Sequence, residues 1–183
     1  MQKKPNKLPR SFFNRPTLNV TKELLGKILV IGDCSGRINE VEAYIGEDDP
    51  ACHACRGMTE RNKPMFGDAG YLYVYFTYGM YHCVNIVTEK KGFPAAVLIR
   101  GIIPIDGKKI MEKRRGRKEN LANGPGKLCI ALEITKKNHN KMDLCNNGDC
   151  YVYDDGFVPK EIKSSPRIGI KVGLDKKWRY SYE

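Results

Sequence analysis

Short apolar runs, broken by glycine, proline and charge, mark out the elements of this chain. Leu18, Val20, Leu24 and Leu25 have helical spacing, and Gly26 stands where such a helix stops. Lys27 to Ile31 reads as a strand, Gly32 to Gly36 as a turn, and Arg37 to Tyr44 as a second strand, which predicts a hairpin. Gly46 to Pro64 is polar, with glycine, proline and both signs of charge, and predicts a long functional loop. Tyr71 to Phe76 is a β-prone strand, Thr77-Tyr78-Gly79-Met80 a turn, and Tyr81 to Thr88 the returning strand. Ala95 to Ile103 is another strand. Asp106 is placed to cap a basic helix from Gly107 to Arg115. Asn123-Gly124-Pro125 is placed to cap and start a second helix through Leu132. Tyr151 to Tyr153 and Ile168 to Val172 read as late strands, and residues 1–10 as a flexible basic arm. The predicted class is α+β, a single domain over 1–183 with a mainly antiparallel sheet and a few short helices.

Composition narrows the class. A chain of 183 residues buries about 70% of its unfolded surface and needs no disulfide or metal staple. Apolar residues at 41% and charged residues at 29% argue against disorder. Runs such as Pro94 to Ile99 are too short to span a bilayer, and MQKKPNKLPR lacks the apolar core of a signal peptide. The net charge of +11 points to a polyanion, with nucleic acid and a membrane surface both open on charge alone. Seven cysteines, an odd count without a secretion signal, read as reduced thiols. Cys52-His53-Ala54-Cys55 has C-x-x-C spacing, but its only partner pair for zinc, Cys145 and Cys150, is C-x₄-C and far along the chain. A thioredoxin-like redox motif would have to follow a strand in a βαβ unit, and this one does not.

Several polar residues stand where apolar ones are expected. Strict alternation puts Ile38, Glu40, Glu42 and Tyr44 on one strand face. That face is either solvent-facing, or a carboxylate beside a stacking ring, as a general base next to a flat substrate requires. Glu47-Asp48-Asp49 reads as a solvated acidic turn, without calcium-loop spacing. His53 follows in the loop. Five of the ten tyrosines fall between Tyr71 and Tyr81. Tyr71, Tyr73 and Tyr75 share one face, whereas Tyr78 sits beside Gly79 at the hairpin tip. It either packs back onto the sheet or acts as a wedge between base pairs. Asn85 and Arg100 interrupt apolar strands and need buried partners, for which a carboxylate such as Glu42 suits Arg100. Lys108, Lys109, Lys113, Arg114, Arg115, Arg117 and Lys118 form the densest basic block, either solvated or in contact with phosphate.

Taken in order, these motifs resemble the alkyladenine (3-methyladenine) DNA glycosylase family. The resemblance rests on Glu40-Val41-Glu42-Ala43-Tyr44-Ile45-Gly46, His53, Thr59-Glu60-Arg61-Asn62, Met65-Phe66 and Leu72-Tyr73-Val74-Tyr75. It continues through Tyr78-Gly79-Met80-Tyr81, Asn85, Val97-Leu98-Ile99-Arg100 and Gly124-Pro125-Gly126-Lys127-Leu128-Cys129. It implies a curved antiparallel sheet with a protruding hairpin that enters the DNA minor groove. It also implies an enzyme that flips a damaged purine out of the duplex and hydrolyses its N-glycosidic bond. Glu42 then looks like the general base and Arg100 its partner in holding the water. Tyr44 would stack on one face of the base, His53 and Tyr75 on the other, and Asn85 would disfavour the 2-amino group of guanine. Tyr78 and Met80 would intercalate, and Arg61, Lys127, Arg114 and Arg115 would contact phosphates.

The resemblance implies a monomer acting on double-stranded DNA with damaged purines, cytoplasmic in a prokaryote or nuclear in a eukaryote, with no membrane association. It implies no metal and no organic cofactor. No lysine within the matched motifs fits a Schiff-base role, so a monofunctional hydrolase without lyase activity is expected. Cys52 and Cys55 depart from the family pattern. Two other classes stay open: a DNA-lesion-binding module without catalysis, against which Glu42 with Arg100 argues, and a small zinc-binding domain built on Cys52 and Cys55.

Overall fold

The computed structural model describes residues 6–183. In chain order its elements are β1 (Asn6–Lys7), α1 (Arg10–Phe13), α2 (Thr17–Leu24), β2 (Ile28–Ile31), β3 (Cys34–Ile45) and a 3₁₀ turn (Lys63–Phe66). There follow β4 (Leu72–Thr77), β5 (Tyr81–Val87), β6 (Ala95–Pro104), α3 (Lys108–Arg115), α4 (Pro125–Ala131), α5 (Lys136–His139), β7 (Cys150–Asp154), β8 (Lys163–Ser165) and β9 (Arg179–Ser181). The strands form one antiparallel sheet, ordered β1-β7-β2-β3-β6-β5-β4, which curls into a half-barrel. One edge of β3 is shared: β2 pairs with its first four residues and β9 with Glu40 to Glu42. Among the described residues no helix is long and apolar enough to cross a membrane.

An irregularity at the middle of β3 decides which residues face where. Ile38 pairs with Ile102, Glu40 with Gly101 and Val41 with Ile99, so Asn39 is extra on β3 and Arg100 is extra on β6. Strict alternation is thereby broken. Ile38 does not share a face with Glu40, Glu42 and Tyr44 as its spacing predicts; it lies fully buried in the main core with Val41. A bulge bends a strand and re-aims the side chains beyond it. Gly101 makes room for this one, because a Cβ there would meet the Asn39 side-chain oxygen at 2.8 Å.

Two apolar clusters result. The main core packs the helices on one face of the sheet, with Phe13, Leu24, Met111, Leu128 and Leu132 against Leu72, Val74, Ile86 and Ile99. A smaller cluster of Cys52, Ala54, Met65, Tyr73, Val87 and Ala96 pins the loop after β3 onto the other face, with Tyr44, Phe66 and Tyr75 against it.

Several expectations need correction. Residues 6–10 are not a flexible arm: Asn6 and Lys7 pair with β7, and the Arg10 guanidinium donates to the Ala69 carbonyl and Asp143. Residues 1–5 lie outside the described residues. Asp106 does not cap α3; Gly107 does, in a left-handed conformation, while the Asp106 carboxylate accepts from the Ser35 hydroxyl. Ile168 to Val172 forms no strand, because Ile168 donates its N–H to a side chain, Glu42, instead of a ladder. β3 begins at Cys34, inside the expected turn. The very short β1, α1, α5, β8 and β9 carry too few residues for a periodic signal.

The assignment of Ile38 to the core is checked by Ile38→Ala. Urea unfolding is expected to show a loss of about 2–5 kcal/mol, as for a buried aliphatic truncation. A site-facing residue would lose much less.

Candidate active site

The sheet face with the smaller cluster carries a cavity of about 450 Å³, within the range of about 300–1,000 Å³ usual for ligand sites. Tyr44 comes from β3, Tyr73 and Tyr75 from β4, Cys83 and Asn85 from β5, and Leu98 and Arg100 from β6. The loop adds Ala51 and His53, and the segment Ile168 to Val172 closes the remaining side. Asn85 is held by donating its amide to the Tyr73 carbonyl at 3.1 Å, across the register pair it forms with Tyr73. His53 Nδ1 lies 2.9 Å from the Tyr73 hydroxyl, and its ring meets Tyr75 edge-on at 4.6 Å. The loop holding His53 is organised by Asn62, whose amide donates to the carbonyls of His53 and Gly57.

Glu42 is fully buried behind that wall. Its carboxylate accepts from the Tyr44 hydroxyl at 2.8 Å and the Ile168 N–H at 2.8 Å, and Arg100 Nη1 approaches at 3.4 Å. A carboxylate has about four lone-pair sites, so one stays open. The shortest partner of Arg100 is Glu40, at 2.8 Å, not Glu42. Glu40 also accepts from Arg179 on β9 at 2.9 Å. Glu40 thus joins the site; its position on the face of Glu42 was the signal that could have found it.

At the tip of β4–β5, Tyr78 and Gly79 both take positive φ, 51° and 66°, and Met80 N–H donates to the Thr77 carbonyl. Thr77 pairs with Tyr81, so the loop is three residues long, with two of them in the left-handed region. A tyrosine in the left-handed region costs about 1–2 kcal/mol, and the ring is nonetheless 80% exposed. Tyr78 reaches the cavity rim. Met80 beside it is 63% exposed.

The basic residues separate into two groups. Arg61 lies 5.2 Å from the Tyr75 ring centroid, and Lys127 donates to the Asn123 side chain two residues from Pro125 of the cavity wall. Arg114 instead staples α3 to the end of α4, donating to the Ala131 carbonyl and pairing with Glu133, and Arg115 is half-buried. None of the four lines the cavity itself.

One expectation near the site is overturned. Asp49 is not part of a solvated turn. It is fully buried and pairs with an equally buried Arg167 at 2.6 and 2.7 Å. Nothing in the acidic triplet distinguished Asp49 from Glu47 and Asp48, which are exposed. The seven cysteines are free. Burial pushes the Cys52 thiol up to about 11. Among the described residues no three metal-ligating side chains cluster.

A family model described as methylpurine-DNA glycosylase matches residues 11–183, nearly the whole chain. The chain belongs to the methylpurine-DNA glycosylase family. This glycosylase is 57% identical over 173 residues to the "Putative 3-methyladenine DNA glycosylase" of Sodalis glossinidius, covering 94% of the chain and 95% of the relative. Proteins with the same description are 52% identical over 183 residues in Methanocella arvoryzae and 54% over 173 in the Wolbachia of Brugia malayi. Those matches cover 94% of this chain and 90% and 95% of the relatives. It is a DNA-repair glycosylase by family.

The ionisation of the glycosylase's site follows its packing. Burial, then the Glu42 charge, raises Tyr44 well above the usual phenol range, so its hydroxyl donates. Burial pushes Tyr73 up to about 12. Burial would lower the pKa of Arg100, but the carboxylates of Glu42 and Glu40 outweigh it and raise it. Desolvation against the tyrosines, then the Arg61 charge, lowers His53 below its ordinary 6.5. His53 is therefore neutral at pH 7. Between the unfolded and folded values the unfolded chain binds more protons, so this group's contribution to stability declines as pH falls through 6.5. An NMR titration is expected to show His53 below 6.5, and Arg61→Gln is expected to move it part of the way back.

Proposed function

We propose that this glycosylase flips alkylated or deaminated purines out of duplex DNA and hydrolyses their N-glycosidic bond, leaving an abasic site. The substrates are 3-methyladenine and 7-methylguanine, with hypoxanthine and ethenoadenine as neutral lesions. The observation that carries the reading is Glu42: a buried carboxylate with one open acceptor site, held by Tyr44, Ile168 and Arg100, all three of which line the aromatic cavity.

The chemistry follows from that placement. A base in a duplex is out of reach, and extruding it costs a few kcal/mol. Tyr78, exposed at the tip of the β4–β5 turn, fills the gap it leaves, with Met80 beside it. The extruded purine enters between Tyr44 on one side and His53 and Tyr75 on the other, and Asn85 reads its edge against the guanine 2-amino group. A purine alkylated at N3 or N7 is cationic, and each ring face attracts it by about 0.5–2 kcal/mol. Water at the open site of Glu42 gives its proton to the carboxylate as its oxygen bonds to C1′. The C1′–N electron pair leaves with the purine, and the anionic centre stabilises the oxocarbenium-like sugar. Arg100, shared between Glu40 and Glu42, fixes the water.

The enzyme works as a monomer, in the compartment that holds the genome. It is a hydrolase without lyase activity. Lys171 lines the cavity, so borohydride is the sharp test: no trapped adduct is expected, and an adduct at Lys171 would replace the water mechanism. Arg61 and Lys127 neutralise phosphates near the cavity. Each alanine substitution is expected to reduce the salt slope of DNA binding by about 1.

Glu42→Gln is the decisive variant. On a duplex with one ethenoadenine it is expected to bind as wild type and to release base at least a hundredfold more slowly. Normal turnover would overturn the mechanism. Tyr78→Ala is expected to weaken lesion-duplex binding more than it slows cleavage of bound substrate, measured by titration and single-turnover kinetics.

A further inference from the structure

The Asp49–Arg167 pair has both side chains fully buried. Such a pair often adds little net stability over apolar replacements, so what it organises is the informative question. Arg167 Nη1 donates to Asp49 and to the Ala43 carbonyl of β3 at 2.9 Å, and Nη2 donates to the other Asp49 oxygen. Its guanidinium lies 4.7 Å from the Tyr44 ring centroid and 5.2 Å from that of Trp178. Its Nε has no acceptor among the described residues, so its hydrogen bonds to protein are those to Asp49 and the Ala43 carbonyl. The next residue, Ile168, donates its N–H to Glu42, and Ile168 to Val172 forms a wall of the cavity. That wall folds back over the pair at Gly173, where φ is +68° and a Cβ would meet Arg167 Nη2 at 3.1 Å.

We propose that Arg167, clamped by Asp49, is a positioning residue that sets the Ile168 amide against Glu42 and the Tyr44 ring against the cavity. The rate of bond cleavage then depends on a side chain that touches no substrate. The inference rests on the reading of Glu42 as general base. A lysine keeps the charge but lacks the planar fork that holds Asp49 with two bonds while stacking on a ring, so Arg167→Lys removes the geometry and leaves the charge.

The test uses the full chain, with thermal melting to confirm that each variant is folded at the assay temperature. Arg167→Lys and Asp49→Asn are each expected to slow single-turnover release of ethenoadenine at least tenfold, with duplex affinity within threefold of wild type. The emission of the bound ethenoadenine is expected to change, because its stacking on Tyr44 changes. The double variant is expected to be no slower than the slower single, since both break one clamp. Wild-type rates in folded variants, rate and affinity falling together, or losses that multiply in the double variant would each overturn the inference. Gly173→Ala keeps both charges and covers the case in which the charge variants fail to fold. It is expected to slow cleavage with affinity retained, and a wild-type rate would count against the proposal. An inactive Glu42→Gln beside a normal Arg167→Lys refutes this inference alone, whereas an active Glu42→Gln refutes the mechanism beneath it.

Discussion

The paired irregularity at Asn39 on β3 and Arg100 on β6 governs the placement of everything else. A strand has period two, and a slip of one residue exchanges its faces. Here one extra residue on each strand sends Ile38 and Val41 into the main core while Glu40, Glu42 and Tyr44 turn to the opposite side. Arg100, the residue left over on β6, reaches both carboxylates from its bulge. On the other edge of β3, Gly26 and Lys27 still bond Ile38, and from Glu40 onward β9 takes over, bringing Arg179 to Glu40. Four charged groups are thereby gathered in a place a regular ladder would have filled with aliphatic side chains.

Charge in this molecule works at two ranges. The surplus of +11 acts over a Debye length and favours approach to a polyanion regardless of sequence. Inside, the acids are the scarce partners. Glu40, Glu42 and Asp49 meet Arg100, Arg179 and Arg167 within a few ångströms, and each arginine is fixed by more than one contact. Burial would push the Glu40 carboxyl toward the neutral form, but its two guanidinium bonds prevail and its pKa is lowered.

The sequence made the strands legible because β2, β4, β5 and β6 are largely apolar runs bounded by turns and the second half of β3 alternates, and the hairpin tip because Tyr78-Gly79 sits between two such runs. It also grouped Tyr44, His53, Tyr75, Asn85 and Arg100, which the structure brings to one cavity. Three things were hidden. The bulge breaks alternation without any residue that announces it. The partnership of Asp49 with Arg167 joins positions far apart in the chain, and no local pattern marks either one as buried. The role of Ile168 lies in its backbone N–H, which side-chain reading passes over. Arg114 was equally hidden in its second engagement: a dense basic run gives no sign that this member also ties α3 to the end of α4 through the Ala131 carbonyl and Glu133.

The separation of the apolar interior into two clusters has a consequence for how this fold can change. The cavity floor rests on Cys52, Ala54, Met65 and Tyr73, not on the side chains that lock the helices to the sheet. Of these, Met65 and Tyr73 line the recess itself, so a change of size at Met65 alters its outline from a cluster separate from the one that holds the helices. The architecture is in that sense a chassis with a replaceable liner, able to be refitted for a ligand of different outline while Glu42 and its partners stay where they are.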